Sequence, residues 1–188
     1  MFETRRLAIP DLIEISPKRY GDHRGFFSET WSAAAFAELG IDIAFVQDNH
    51  SLSAAPGVLR GLHYQLPPFA QAKLVRVTRG AAYDVAVDIR HGSPTFGRHA
   101  AVTLSAEAWN QILIPEGFAH GLLTLEPNTE VQYKVSAPYA PDHERAIAWD
   151  DADLGIPWPA LGSAPTLSEK DARAPRLADV AASFHYCG

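Results

Sequence analysis

Two histidines, a lysine and a tyrosine are the residues of this chain best suited to move a proton. The run Gly57-Val-Leu-Arg60-Gly-Leu-His63-Tyr-Gln65 leads on to Lys73 and Gly80. A second run, Ile114-Pro-Glu-Gly-Phe-Ala-His120-Gly121, follows downstream. An unperturbed imidazole titrates near about 6.5, so it can be neutral and still basic near neutral pH. A lysine ammonium has no lone pair for a metal and repels a divalent cation. Two histidines and a fixed positive charge, where a fold brings them together, therefore suit proton abstraction next to a developing oxyanion. A phenol such as Tyr133, with a pKa of about 10, keeps its proton at neutral pH yet can pass it to a carbanion. Each also has an ordinary alternative: a buried histidine with both nitrogens satisfied, a surface lysine beside Arg76 and Arg79, a tyrosine packed on a strand.

These side chains must be held by strands. Pro and Gly punctuate short apolar runs, the pattern of an all-β sandwich or barrel. Val85, Val87 and Ile89 alternate onto one face, and Val75 and Val77 do the same after Lys73. Arg79-Gly80 fits a tight turn between these two strands. Further strands fit residues 43–53, 58–65, 99–105, 110–114, 119–125 and 129–136. One helix fits Ser32 to Leu39, capped by Ser32 and ended by Gly40. From about Asp151 onward Pro and Ala dominate, and this tail is expected to wrap over the barrel. Strict alternation places residues 59, 61, 63 and 65 on one face and Arg60 on the other. An interior glycine often marks a bulge, and a bulge at Gly61 would bring Arg60 and His63 into one cavity. Gln47 and Asn49 share a face.

The chain has 188 residues, 47% apolar and 20% charged, enough for one domain with a sizeable core. The formal net charge of −6 argues against binding to a nucleic-acid polymer but not against a small anion met by clustered arginines. The single cysteine, Cys187, allows no disulfide within the chain. With no signal-peptide pattern after Met1 and no apolar run of membrane-spanning length, a cytoplasmic protein without membrane partners is expected.

The two glycine-rich runs resemble the spaced motifs of cupin barrels. Metal-binding cupins supply His-x-His and a Glu from the first motif and one more His from the second. Here Gln65 stands for the second His and Lys73 for the Glu, so no metal is expected. Further runs narrow the resemblance: Asp22-His-Arg24-Gly-Phe-Phe27-Ser-Glu29, Gln47-Asp-Asn49, Gln71-Ala-Lys73, Asp84-Val-Ala-Val-Asp88-Ile-Arg90, Tyr133-Lys, Tyr139-Ala-Pro141, Glu144-Arg145, Trp149-Asp-Asp151 and Leu167-Ser-Glu-Lys170-Asp171. In order and spacing these resemble the dTDP-4-dehydrorhamnose 3,5-epimerase family from about Pro10 to Leu177. The resemblance implies an all-β, cupin-type jelly-roll barrel with one or a few short helices, a single domain over 1–188. It also implies N-terminal strands over about 1–30 exchanged in a homodimer, and a C-terminal tail over about 151–188.

The substrate so implied is a dTDP-linked 4-keto-6-deoxyhexose. Its C4 carbonyl acidifies the protons on C3 and C5, so epimerisation needs a base, an enolate stabiliser and an acid on the opposite face, but no cofactor. By resemblance His63 is the base, Lys73 stabilises the enolate, His120 assists at the carbonyl and Tyr133 is the acid. Asp171 orients His63, with Asp84 as a second candidate. Arg24, Arg60 and Lys170 contact the pyrophosphate, and Tyr139 stacks on thymine. Phe27, Glu29, Gln47, Asn49 and Glu144 make further substrate contacts, with Arg24 and Glu29 reaching a neighbouring subunit's site. Trp31 and Trp109 depart from the family pattern, and Trp109 is expected to mark a surface patch. The rivals are a single-carbon epimerase of antibiotic-sugar synthesis, a metal-dependent cupin oxygenase and a non-catalytic sugar-nucleotide-binding cupin.

Overall fold

In the computed structural model, which describes residues 2–186, the chain forms two facing β-sheets and a long C-terminal wrap. Cys187 lies outside the described residues. The strands are β1 (Phe2–Arg6), β2 (Ile13–Pro17), β3 (Tyr20–Asp22), β4 (Gly25–Phe27), β5 (Gln47–Ser53), β6 (Leu59–Gln65), β7 (Lys73–Arg79), β8 (Ala81–Asp88), β9 (Arg90–His91), β10 (His99–Ser105), β11 (Gln111–Ile114), β12 (Phe118–Thr124), β13 (Thr129–Val135), β14 (Glu144–Ala146) and β15 (Phe184–His185). Two short helices, α1 (Ala33–Glu38) and α2 (Glu169–Ala172), accompany them. One sheet has the order β1-β2-β11-β7-β13-β5 and the other β10-β8-β12-β6-β14. The two remain separate sheets rather than closing into one continuous barrel.

The core lies where the sheets meet. Val75, Val77, Ile112 and Val131 from the first sheet pack against Ala82, Ala86, Leu104, Phe118 and Leu122 from the second. Burying one Val- or Leu-sized side chain contributes about 1.5–3 kcal/mol. Strand parity carries Lys73 inward with Val75 and Val77, and His120 inward with Phe118 and Leu122.

The outer face of the five-stranded sheet is also dry. Leu62, Tyr64, Val85, Val87 and Ile89 meet Ile156, Trp158, Leu177, Val180 and Phe184 of the wrap. The alternating valines of β8 therefore face the tail, while Ala82, Asp84 and Ala86 face inward. The outer face of the six-stranded sheet is covered by α1 and the segment after it, through Phe36, Ile41, Ile43 and Phe45 packed on Ile15, Leu74 and Leu113. Ser32 caps α1 by accepting from the Ala35 backbone N–H at 3.5 Å, and Gly40 ends it at φ +77°.

One expectation is refined and one needs correction. The tight turn at Arg79-Gly80 links two sheets rather than neighbouring strands of one, because β7 and β8 lie in different sheets. Gly80, at φ +73°, is the corner between them, where a Cβ would meet the Thr129 hydroxyl at 2.5 Å. Residues 43–46 are not a strand; β5 starts at Gln47, because Ile43 and Phe45 turn down onto the outer cluster instead.

Candidate active site

At one end of the space between the sheets is a cavity of about 320 Å³, lined by Arg60, His63, Lys73, His120, Tyr133, Lys170 and Asp171, with Ser51, Leu122, Val131 and Ser168. Its walls come from both sheets: His63 and Arg60 from β6 and His120 from β12 on one side, Lys73 from β7 and Tyr133 from β13 on the other.

The parity conflict at Arg60 is resolved by a bulge. His120 pairs with His63 but Leu122 pairs with Arg60, so β6 spends one residue more than β12 over this interval. Leu62 and Tyr64 then point to the outer cluster while Arg60 and His63 both enter the cavity. Gly61 permits this. Its φ is +128°, and a Cβ there would sit 2.5 Å from Gly121 Cα and 2.7 Å from the His120 carbonyl oxygen.

His63 Nε2 lies 2.5 Å from Asp171 Oδ1, and Asp171 is 4% exposed. Burial pushes the Asp171 carboxyl up, but hydrogen bonds from His63 and Ser168 outweigh it and hold the group below its ordinary value. His120 Nε2 lies 3.0 and 2.9 Å from the two oxygens of Asp84, itself fully buried. Asp84 therefore serves His120, and Asp171 serves His63. Burial lowers the His120 pKa, with Asp84 opposing. Lys73 Nζ donates to the His63 carbonyl oxygen at 3.3 Å. Burial lowers its pKa to about 8, against the pull of Asp84 and Glu144. Burial also raises the Tyr133 phenol, so it stays protonated at neutral pH.

The rim is a chain of contacts. Gln47 Nε2 donates to Asn49 Oδ1 at 2.8 Å, and Gln47 Oε1 accepts from the Tyr139 backbone N–H at 3.0 Å. The Tyr139 hydroxyl donates to Glu144 at 3.0 Å, and Lys170 Nζ pairs with the other Glu144 oxygen at 2.6 Å. The Tyr139 ring stays exposed and free to stack. Burial pushes the Glu144 carboxyl up, but Lys170 and Tyr139 outweigh it and hold the group ionised.

Arg24, Phe27 and Glu29 are not brought to this cavity. Arg24 and Phe27 sit on the exposed β3–β4 hairpin, where Arg24 pairs with Asp22 at 2.5 Å and Phe27 is 70% exposed. Trp109 is half-buried beside the exposed ring of Phe26. Its indole N–H donates to Ser28 at 2.9 Å, and its ring packs edge-on against Phe26 with Arg19 and Arg76 over its face, so it anchors the base of the hairpin. Gln65 is structural: its amide donates to the Phe69 and Pro138 carbonyls and accepts from Ala140 N–H, tying two loops together. Among the described residues no group of three His, Cys, Asp or Glu side chains is placed to hold a metal. Sequence reasoning missed Ser168, which bonds both the backbone and the carboxylate of Asp171. The Ser-x-x-Asp spacing of a helix cap was the available signal.

Residues 6–179 match the family model described as dTDP-4-dehydrorhamnose 3,5-epimerase. A protein of that name from Pseudomonas aeruginosa is 54% identical over 93% of this chain and 95% of its own length. A solved structure of the 3,5-epimerase from Legionella pneumophila in complex with dTDP-4-keto-L-rhamnose is 46% identical, covers 100% of both chains and superposes with a TM-score of 0.96. A 3'-monoepimerase from Streptomyces bikiniensis in complex with dTDP-quinovose is more distant, at 38% identity over 93% of this chain and 87% of its own, with a TM-score of 0.86.

Proposed function

From the premise that this chain belongs to the dTDP-4-dehydrorhamnose 3,5-epimerase family, we propose how its residues divide the chemistry. The enzyme epimerises dTDP-4-dehydro-6-deoxy-D-glucose at C3 and C5 to dTDP-4-dehydro-L-rhamnose. Each inversion removes a proton α to the C4 carbonyl, forms an enolate and returns a proton from the other face.

His63 removes the proton, with Asp171 holding its far nitrogen and steadying the imidazolium that forms. Lys73, a buried ammonium, offsets the charge developing on O4, help commonly worth about 3–4 kcal/mol. His120, whose Nε2–H is held by Asp84, assists with its other ring nitrogen, accepting from a sugar hydroxyl when neutral and donating to the same oxygen only when the ring is protonated. Tyr133 returns the proton. Arg60 and Lys170 take the pyrophosphate by charge-assisted bonds, and Tyr139 stacks on thymine. Arg24 and Glu29 complete the site of a second copy in a homodimer. Cytoplasmic sugar-nucleotide metabolism is the setting this substrate implies.

The observation that carries this reading is the opposition of His63 and Tyr133, one from each sheet across a single cavity. NMR of substrate in D₂O with two variants tests it. His63→Ala should abolish both epimerisation and exchange, since no enolate forms. Tyr133→Phe keeps the base and Lys73, so deuterium should still enter while inverted product falls sharply. Inversion by Tyr133→Phe at the wild-type rate would remove Tyr133 from its role, and rapid exchange by His63→Ala would remove His63.

A further inference from the structure

The carboxylate that orients the base is itself built into a helix cap. Ser168 is the N-cap of the four-residue helix α2, and its Oγ accepts from the Asp171 backbone N–H at 3.1 Å. The same hydroxyl donates to Asp171 Oδ2 at 2.8 Å. A hydroxyl has one donor and two acceptor lone pairs, so both bonds form together. Oδ1 faces His63 and Oδ2 faces Ser168, so each carboxylate oxygen has its own partner in a nearly dry setting. The wrap that carries this turn is pinned to β6 beside it, since the Leu59 N–H donates to the Thr166 carbonyl at 3.0 Å.

We propose that Ser168 is a positioning residue for the reaction, holding the Asp171 carboxylate at one rotation and drawing off part of its charge so that it steadies His63 without over-stabilising the imidazolium. This rests on the reading of His63 as the base. Without the hydroxyl, Oδ2 is left buried and unpaired, and the full carboxylate charge falls on His63. The imidazolium is then held more tightly, so the free base appears only at higher pH. The other charged and titratable groups around the pair are unchanged by the substitution: Arg60 on the same strand, Lys73 and Tyr133 from the opposite sheet, His120 from β12, Glu144 from β14 and Lys170 next to Asp171.

The test is the pH dependence of kcat/KM, whose acid limb reports the free enzyme's base, for Ser168→Ala, Ser168→Thr and Ser168→Asp beside His63→Ala. Ser168→Ala should lose about tenfold in kcat, the effect of one hydrogen bond, and its acid limb should move to higher pH. Ser168→Thr keeps the hydroxyl and should restore both. Ser168→Asp still caps the turn but cannot donate when ionised, so it should be at least as impaired as Ser168→Ala. It carries the test if the alanine variant does not fold. A Ser168→Ala enzyme slowed with an unmoved acid limb, or Ser168→Asp at the wild-type rate, would reduce Ser168 to a helix cap and overturn the proposal. Exchange persisting in His63→Ala would instead overturn the base assignment, which separates the two failures.

Discussion

Lys73 is the side chain whose chemistry depends most on where the fold puts it. It is buried among Asp84, Glu144 and Lys170, and desolvation brings its pKa to about 8. An exposed lysine titrates near about 10.4. As an enolate stabiliser Lys73 acts only when charged. It is charged below a pH of about 8 and loses its proton as the pH rises through that value. Turnover should therefore fall on an alkaline limb near pH 8, and Lys73→Met should lose about 10²- to 10³-fold in kcat together with that limb. Stopped or continuous assays across pH 6–10 read both. An alkaline limb unchanged in Lys73→Met would assign the titration to another group. The inward direction of Lys73 was legible, because it shares its parity with Val75 and Val77. The partner of His120 was not. Asp171 and Asp84 were both candidates to orient His63, and only the register of β8 against β12 brings Asp84 to His120 instead.

The bulge in β6 decides whether two of these residues meet. The sequence contains its signal, a glycine between Arg60 and His63, but parity alone places them on opposite faces. What settles the matter is non-local: Gly61 lies against Gly121 so closely that no side chain fits at either contact. Gly61→Ala should force backbone against backbone and hold a strained φ, costing at least about 1–3 kcal/mol. Thermal denaturation should show a clear fall in Tm, and calorimetry with dTDP should show weakened binding as Arg60 is displaced. A Gly61→Ala protein that melts and binds like the wild type would mean the bulge is not needed. The same limit of local reading explains Arg79-Gly80. A short apolar strand, a glycine and another strand read as a tight turn from the sequence, and only the facing of two sheets makes that turn a corner between them.

One chain brings His63, Tyr133 and Lys73 to one cavity, yet Arg24, on its exposed hairpin, is not part of that cavity's lining. If that hairpin completes a neighbour's site, inactive variants should rescue each other. Arg24→Ala and His63→Ala, mixed in equal amounts and allowed to exchange subunits, give mixed dimers with one intact site each, about a quarter of all sites. Recovery toward that level, read by the epimerase assay, is the expected result, and a mixture no more active than its parts would confine Arg24 to its own subunit. The C-terminal wrap was legible as a Pro- and Ala-rich tail lying over the barrel, but not which face it covers, because that is set by the outward valines of β8. Its function in the fold is to cover the outer face of one sheet and to deliver Asp171 to His63, contacts 108 residues apart in sequence. The central claim concerns the reaction as a whole, that one cavity inverts two carbons through enolates on either side of C4. Incubating dTDP-4-dehydro-6-deoxy-D-glucose with the wild-type enzyme in D₂O and locating deuterium by NMR tests it most directly. The account predicts deuterium at both C3 and C5 in product inverted at both. Deuterium and inversion confined to one carbon would contradict it.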